Sequence, residues 1–206
     1  MPHNITLSLS KPGDARAPIL LNLTKGEQFK VLLRWSGAAD LDLHAMVARR
    51  IGEDRAKISA VGDILSTYNV HSGNLPKLAD GSFEVHNGAL VHSPDALDGN
   101  ATDVDEFVVV NPNKLTPPAH GIIEIPLVAM IHPQSAGNTF SKVADAHVEI
   151  INAKGEVLLD ASLSQQFGPF VGAQMGSIMI DGNGAHFVPT GVGFQGDFNS
   201  VISAFL

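Results

Sequence analysis

Cysteine is absent from this chain of 206 residues. A disulfide framework is therefore excluded, and the composition fits a reducing compartment such as the cytoplasm. Without thiolates, a soft metal ion would depend on clustered histidines, and the spacing of the nine histidines matches no zinc motif. A nucleophilic cysteine is excluded as well.

Positive charge is also scarce, with 13 Lys and Arg against 21 Asp and Glu and a formal net charge of −8. Nucleic acids and anionic membranes need Lys and Arg to neutralise phosphate, so this balance argues against both partners. No apolar run reaches the roughly 18 residues that a membrane-spanning helix needs. The first residues lack a basic segment followed by an apolar run, so we expect no signal peptide and a cytoplasmic protein.

Apolar residues make up 44% of the chain, which is enough for a packed core, and the length suits one domain over residues 1–206. Nearly every apolar segment is short, rich in β-branched residues and ended by Gly, Pro, Asn or Asp, which is typical of strands and turns. Residues 152–155 and 181–184 predict two hairpin turns. We therefore expect a mainly β fold, a two-sheet sandwich with loops gathered at its ends and short helical segments.

The first half of the chain contains four predicted strands and one irregular stretch. Apolar and β-branched residues in 5–10, 19–24, 29–36 and 41–48 predict strands. Residues 49–80 show no such pattern, so we expect an excursion of loops with one helical turn.

Two elements of the second half carry specific expectations. The long apolar segment 121–133 contains Pro126, which predicts an edge strand or a bend at that residue. The tail from 197 to 206 predicts a short C-terminal helix capped by Asn199 or Asp197.

The stretch HSPDALDGNATDVDEFVVV, residues 92–110, concentrates carboxylates just before and at the start of a predicted strand. It contains no Lys or Arg, and its acids are Asp95, Asp98, Asp103, Asp105 and Glu106. Like charges this close raise one another's pKa unless a cation relieves them. Either the loop is open to water or a cation lies in it.

A second acidic pair, Asp40 and Asp42, flanks Leu41. At the two-residue period of a strand, both carboxylates leave the same face of the strand. Beside the acidic loop, this pair would complete a cage of hard oxygen donors. Ca²⁺ takes about six to eight oxygen ligands, so the cage favours calcium.

The acidic loop is not an EF-hand, although the window from Asp95 to Glu106 begins with Asp and ends with Glu. Leu97 and Gly99 occupy positions that need oxygen ligands. Asn100 stands where the sharp turn needs glycine, and flanking helices are missing.

The order of the motifs resembles the TerD family of bacterial tellurium-resistance and stress proteins. Residues 19–45, ILLNLTKGEQFKVLLRWSGAADLDLHA, are similar to the family's Leu-Thr/Ser-Lys-Gly start and its Gly-Trp strand leading to Asp-Leu-Asp. Residues 88–115 are similar to its acidic stretch and the strand that follows. The resemblance continues through 125–159 and 176–205, so it covers almost the whole chain. No single motif is specific, but their order is.

The resemblance implies a non-catalytic β-sandwich that binds Ca²⁺ through the Asp-x-Asp strand and the acidic loop. The positions that match family acids are Asp40, Asp42, Asp95, Asp105 and Glu106. Three further residues, each departing from the family pattern, complete the predicted ligand set: Asp98, Asn100 and Asp103. Pro94 replaces a usual Gly and the 49–80 excursion is longer than the family norm, which marks a divergent member that a phage or mobile element could encode. Expected partners are other proteins of a resistance or stress cluster.

The sequence also permits other functions. One is a structural or virion-associated sandwich that Ca²⁺ rigidifies. Another is a calcium-dependent lipid-binding sandwich, which needs basic or bulky apolar tips where this loop offers only Ala96, Leu97 and Ala101. Catalysis by paired carboxylates, as in glycoside hydrolases, needs one acid of raised pKa in an apolar cleft, set apart from its partner. Five acids in one loop favour a cation instead, so we expect no enzyme.

Overall fold

The computed structural model describes residues 27–52, 54–100 and 104–206. The predicted strands at 5–10 and 19–24, and the predicted ligand Asp103, lie outside the described residues. Within the described ranges, no helix is both long and apolar enough to cross a membrane.

The described residues form twelve strands and three short α-helices. The strands of the first half are β1 (Phe29–Ser36), β2 (Leu41–Met46), β3 (Ala48–Ile51), β4 (Ile64–Leu65), β5 (Phe83–Val85) and β6 (Leu90–His92). Those of the second half are β7 (Glu106–Val110), β8 (Gly121–Ile131), β9 (Ala144–Asn152), β10 (Val157–Ser162), β11 (Gly172–Asp181) and β12 (Gly184–Phe194). The helices are α1 (Thr67–His71), α2 (Leu163–Gln166) and α3 (Phe198–Ile202).

The strands lie in two antiparallel sheets, as the sequence predicts. The first sheet has the order β10–β9–β1–β7–β6–β5. The second has the order β12–β11–β8–β2–β4, and β3 pairs with β8 beyond the end of β2. Both predicted hairpins, β9–β10 and β11–β12, are confirmed.

The main core lies between the sheets and follows the alternation along each strand. In β2, Leu41 and Leu43 face this core, while Asp42, His44 and Met46 leave the opposite face. Trp35 is 3% exposed and packs in the main core.

A smaller apolar cluster covers the outer face of the second sheet. There Met46 of β2 packs with Phe198 and Val201 of α3, the predicted C-terminal helix. The Asp197 side chain caps α3 by accepting a hydrogen bond from the Ser200 amide. This tail therefore closes the face of β2 that the main core leaves free.

Pro126 lies in β8, and the prediction of an edge strand is wrong, because β8 pairs with β11 on one side and with β2 and β3 on the other. The ladder avoids the missing amide of Pro126. On one side, the pairing of β2 stops at Leu127 and that of β3 resumes at Glu124. On the other, the register with β11 shifts between Gln174 and Gly176, next to the proline.

The 49–80 excursion contains α1 as its helical turn, and two short strand pieces that the sequence did not predict. It is anchored by Asp63, which is 4% exposed. Asp63 accepts hydrogen bonds from Arg49 Nη1 at 2.9 Å and from the amides of Ser59 at 2.7 Å and Ala60 at 3.0 Å. Burial alone would raise the pKa of Asp63, but these hydrogen bonds outweigh burial and hold the pKa below its ordinary value.

Asp63→Asn should destabilise the fold by about 1.5–3 kcal/mol at neutral pH, because it weakens charged hydrogen bonds in a buried place. A depressed folded pKa contributes stability that is present above the unfolded pKa of about 3.9 and is lost as the pH falls through the folded pKa. Urea unfolding at pH 7 and at stepwise lower pH measures both effects. The gap between wild type and variant should shrink in acid.

The exposed Asp54 of the same excursion provides the control, and Asp54→Asn should change stability by less than about 0.5 kcal/mol. A gap between wild type and Asp63→Asn that stays constant from neutral pH into acid would contradict the assignment.

Candidate cation site

The site begins at an uncovered edge of β2. β4 pairs with Ala45 and Met46 only. If that register continued, Thr67 would pair with Leu43, but the chain turns at Ser66 into α1. The backbone groups of Leu43 therefore need partners other than a strand.

Two side chains of the first sheet supply those partners. Glu106 Oε2 accepts a hydrogen bond from the Leu43 amide at 2.8 Å. His92 Nε2 lies 2.8 Å from the Leu43 carbonyl oxygen. Both side chains are fully buried, so this edge joins the two sheets through polar groups rather than through apolar packing alone.

Glu106 also fixes the acidic loop. Its Oε1 accepts a hydrogen bond from the Ala96 amide at 3.3 Å. Glu106 is the first residue of β7, and it points inward with Val108 and Val110 along the strand. One carboxylate thus connects β2, β7 and the acidic loop.

His92 holds its ring between two carbonyl oxygens and an aromatic face. Nδ1 lies 2.8 Å from the Ser93 carbonyl, and the ring stacks on Phe83 with 4.5 Å between centroids. Burial lowers the pKa of His92, while the hydrogen bonds to the Ser93 and Leu43 carbonyls partly restore it. His92 Nε2 also lies 3.6 Å from Glu106 Oε2, so the two side chains contact each other beside the Leu43 backbone.

Three of the predicted ligands meet at this edge. One carboxylate oxygen each from Asp42, Asp95 and Glu106 lies within 4.8 Å of the others. We call these three residues the carboxylate triad. Among the described residues, no Lys or Arg forms a salt bridge with the triad. The Asp-x-Asp strand and the acidic loop, 53 positions apart at Asp42 and Asp95, therefore share one place.

The triad concentrates negative charge in a buried position. Burial raises the pKa of Asp42 to about 7, with added repulsion from Asp40 and Asp95, although a hydrogen bond from Thr67 opposes the rise. Burial and the charge of Asp42 raise the pKa of Glu106 well above its usual range. Ionisation of all three acids costs free energy unless a cation compensates their negative charge.

Two buried oxygens at the site have no hydrogen-bond partner: Asp42 Oδ2 and Asp40 Oδ1. The other oxygen of Asp42 accepts a hydrogen bond from Thr67 Oγ1 at 2.7 Å. Asp40 Oδ2 lies 3.5 Å from His132 Nδ1. Burying an unpartnered carboxylate oxygen is costly, so these atoms fit the ligands of a cation.

Three other predicted ligands, Asp98, Asn100 and Asp105, are not members of the triad. Asp105 Oδ2 accepts a hydrogen bond from the Trp35 amide at 2.9 Å, along β1 and apart from the triad. Asp98 and Asn100 are exposed in the loop.

Trp35 organises both acidic elements, a role that the sequence analysis missed. Its indole Nε1 donates to the Ala39 carbonyl at 2.6 Å, next to Asp40. Its ring lies against Gly99 of the acidic loop, where an added Cβ would come within 2.3 Å of the ring. Gly99 also exchanges backbone hydrogen bonds with Gly37. The order of Trp35 and the Asp40–Asp42 pair is visible in the sequence, but the contact between Trp35 and Gly99, 64 positions apart, is not.

A second group of possible metal ligands differs from the triad in its burial and in its basic partners. His147, Glu149 and Asp160 lie on β9 and β10 and are only partly buried. His147 pairs with Asp160, and Arg34 pairs with Glu149 at 3.3 Å. Here the chain's own basic groups compensate the carboxylates, so nothing calls for a bound cation.

These features define an antiparallel β-sandwich with a buried carboxylate triad between the edges of its sheets. A model of the TerD domain matches residues 81–205, more than half of the chain, and the chain therefore belongs to the TerD family. The resemblance seen in the sequence is confirmed. Asp40, Asp42 and α1 lie before the matched residues.

Two solved structures are similar in fold. The first is SAV2460, a protein of unknown function, with 16% identity and a TM-score of 0.64 over 89% of this chain and 99% of that one. The second is SCO6318 from Streptomyces coelicolor A3(2), a homologue of the telluride resistance protein TerD, with 16% identity and a TM-score of 0.62. That match covers 87% of this chain and 96% of the other. No curated protein matches the chain.

Gly99→Ala should destabilise the fold by about 1–3 kcal/mol, because the new methyl group collides with the Trp35 ring in a packed place. Chemical unfolding followed by the fluorescence of the single tryptophan measures the loss. Gly182→Ala is the matched control, since a Cβ there meets nothing within 4 Å. Equal stability of both variants would contradict the packing of the loop on Trp35.

Proposed function

We propose that this chain is a calcium-binding, non-catalytic member of the TerD family that acts in tellurium resistance or a related stress response. The single observation that supports calcium binding is the carboxylate triad of Asp42, Asp95 and Glu106, in which Asp42 and Glu106 are buried and with which no Lys or Arg of the described residues forms a salt bridge. The lack of cysteine supports a cytoplasmic location. Candidate partners are other proteins of the resistance or stress cluster.

The repulsion within the triad is large enough to favour a bound cation. Two unit charges 4.8 Å apart repel by roughly 3.5 kcal/mol at an effective dielectric constant of about 20. Protonation relieves this repulsion, and the repulsion contributes to the raised pKa values of Asp42 and Glu106. A divalent cation that replaces the protons attracts every carboxylate of the triad, and this attraction outweighs the repulsion between the carboxylates. A cation is therefore the better partner at neutral pH.

The donor set favours Ca²⁺ over other cations. The triad offers carboxylate oxygens, and Asp40 Oδ1 is a further unpartnered oxygen nearby. Ca²⁺ accepts many oxygen ligands in irregular geometry, whereas Mg²⁺ requires a tight octahedron and sheds water reluctantly. Softer metal ions prefer thiolate or imidazole ligands, and no histidine belongs to the triad.

Chelator-stripped protein should bind Ca²⁺ in a calorimetric titration, and Asp42→Asn and Asp95→Asn should each weaken binding by more than about tenfold. The double variant should lose much less than the product of the two losses, because both residues serve one ion. Asp54→Asn, remote and exposed, is the control for charge alone. Absence of Ca²⁺ binding by the wild type at millimolar concentration would refute the proposal.

Asp98→Asn in the same titration tests an exposed acid of the loop that the sequence predicts as a ligand. The exposed position leads us to expect a small effect. A loss as large as that of Asp95→Asn would instead place Asp98 among the ligands.

Ca²⁺ should also raise the thermal midpoint, because an ion that binds only the folded state stabilises it by mass action. At a hundredfold excess over the Kd, the gain is about 2.7 kcal/mol. Thermal unfolding with Ca²⁺, with Mg²⁺ at the same concentration and with chelator measures the effect. A midpoint that responds equally to both ions would contradict a calcium-selective site.

A further inference from the structure

Helix α1 contacts both acidic elements of the cation site, although it belongs to the irregular 49–80 excursion. At its start, Thr67 Oγ1 donates to Asp42 Oδ1 at 2.7 Å, and both residues are 1% exposed. At its end, His71 Nε2 lies 3.5 Å from Asp95 Oδ2. The helix therefore spans from the Asp-x-Asp strand to the acidic loop.

The place of Thr67 is fixed by its own turn. Ser66 Oγ caps α1 by accepting a hydrogen bond from the Tyr68 amide at 3.2 Å. The Asn69 side chain donates to the carbonyls of Ile64 at 2.9 Å and Val61 at 3.2 Å. These bonds end β4 and start α1 at the point where Thr67 meets Asp42.

The hydroxyl of Thr67 decides which oxygen of Asp42 remains available. A donated hydrogen bond occupies Oδ1 and fixes the orientation of the carboxylate. Oδ2 is left buried and without a partner. A ligand held in one orientation by a second group loses less freedom when an ion binds.

We infer that Thr67 is a positioning residue of the cation site, which holds the Asp42 carboxylate so that Oδ2 is presented to the ion. This inference rests on the proposed calcium site. Thr67 lies before the residues that match the TerD domain, in the 49–80 excursion. The excursion thus contributes directly to the site.

The test compares Ca²⁺ affinities by calorimetry for wild type, Thr67→Val and Thr67→Ser. Val keeps the shape but removes the hydroxyl, so it should weaken binding about 10- to 100-fold, as for other residues that orient metal ligands. Ser keeps the hydroxyl and should bind close to wild type. Thr67→Ala extends the series, because Ser and Ala differ only by the hydroxyl oxygen.

Ser177→Ala is the matched control. Ser177 Oγ also donates to a carboxylate, Glu124 Oε1, at 2.7 Å, and Ser177 is 2% exposed in the second sheet. This variant should lower the thermal midpoint without calcium and leave the Kd unchanged. A merely structural Thr67 would behave in the same way.

The outcomes separate the two proposals. If the wild type binds Ca²⁺ and Thr67→Val binds equally well, the positioning role is refuted and the calcium site stands. If the wild type fails to bind, the proposed function fails and the positioning role falls with it. If Thr67→Val does not fold, the Ser and Ala pair decides, and equal affinities of these two would refute the inference.

Discussion

The site depends on how the two backbone groups of Leu43 are satisfied at the uncovered edge of β2. A buried amide and carbonyl without partners would be costly, and no strand among the described residues covers them. Glu106 and His92 of the first sheet take both groups at 2.8 Å. The same bonds connect the two sheets and bring a charged carboxylate into the interior. Asp42 and Asp95 then lie beside it, so the triad follows from a requirement of the fold.

A buried carboxylate away from the site, Asp63, has a different environment. Asp63 is also buried, but Arg49 and two backbone amides compensate its charge and lower its pKa. Glu149, less buried, pairs with Arg34. The triad has no Lys or Arg partner among the described residues, and the basic side chains beside it are His71, 3.5 Å from Asp95, and His92, 3.6 Å from Glu106. The pKa values of Asp42 and Glu106 are raised rather than lowered. This difference supports the proposal that a bound cation supplies positive charge to the triad.

Much of the fold and part of the site could be predicted from the sequence. Short alternating segments indicated the sandwich, and the period of two placed Asp40 and Asp42 on one face of a strand. Which acids meet could not be predicted, because it depends on pairing between distant segments. Asp105 is a carboxylate residue like its neighbour Glu106, yet it accepts a hydrogen bond from the Trp35 amide and is not a member of the triad. Likewise, Pro126 predicts an edge strand or a bend, but no local pattern shows that β8 pairs on both sides and that its ladders are interrupted beside the proline.

The residues that hold the site are less visible in the sequence than those that form it. Trp35 fixes the loop through Gly99 and the strand end through Ala39, while Thr67 fixes Asp42 from the opposite side. These contacts are made by the chain's own groups, and they hold the carboxylates together against their mutual repulsion. Under the proposed function, a cation would meet carboxylates that the chain itself already orients, and little further ordering of the chain would be needed. Its stabilising effect would act on the β2 edge that joins the two sheets, and on α1 through Asp42.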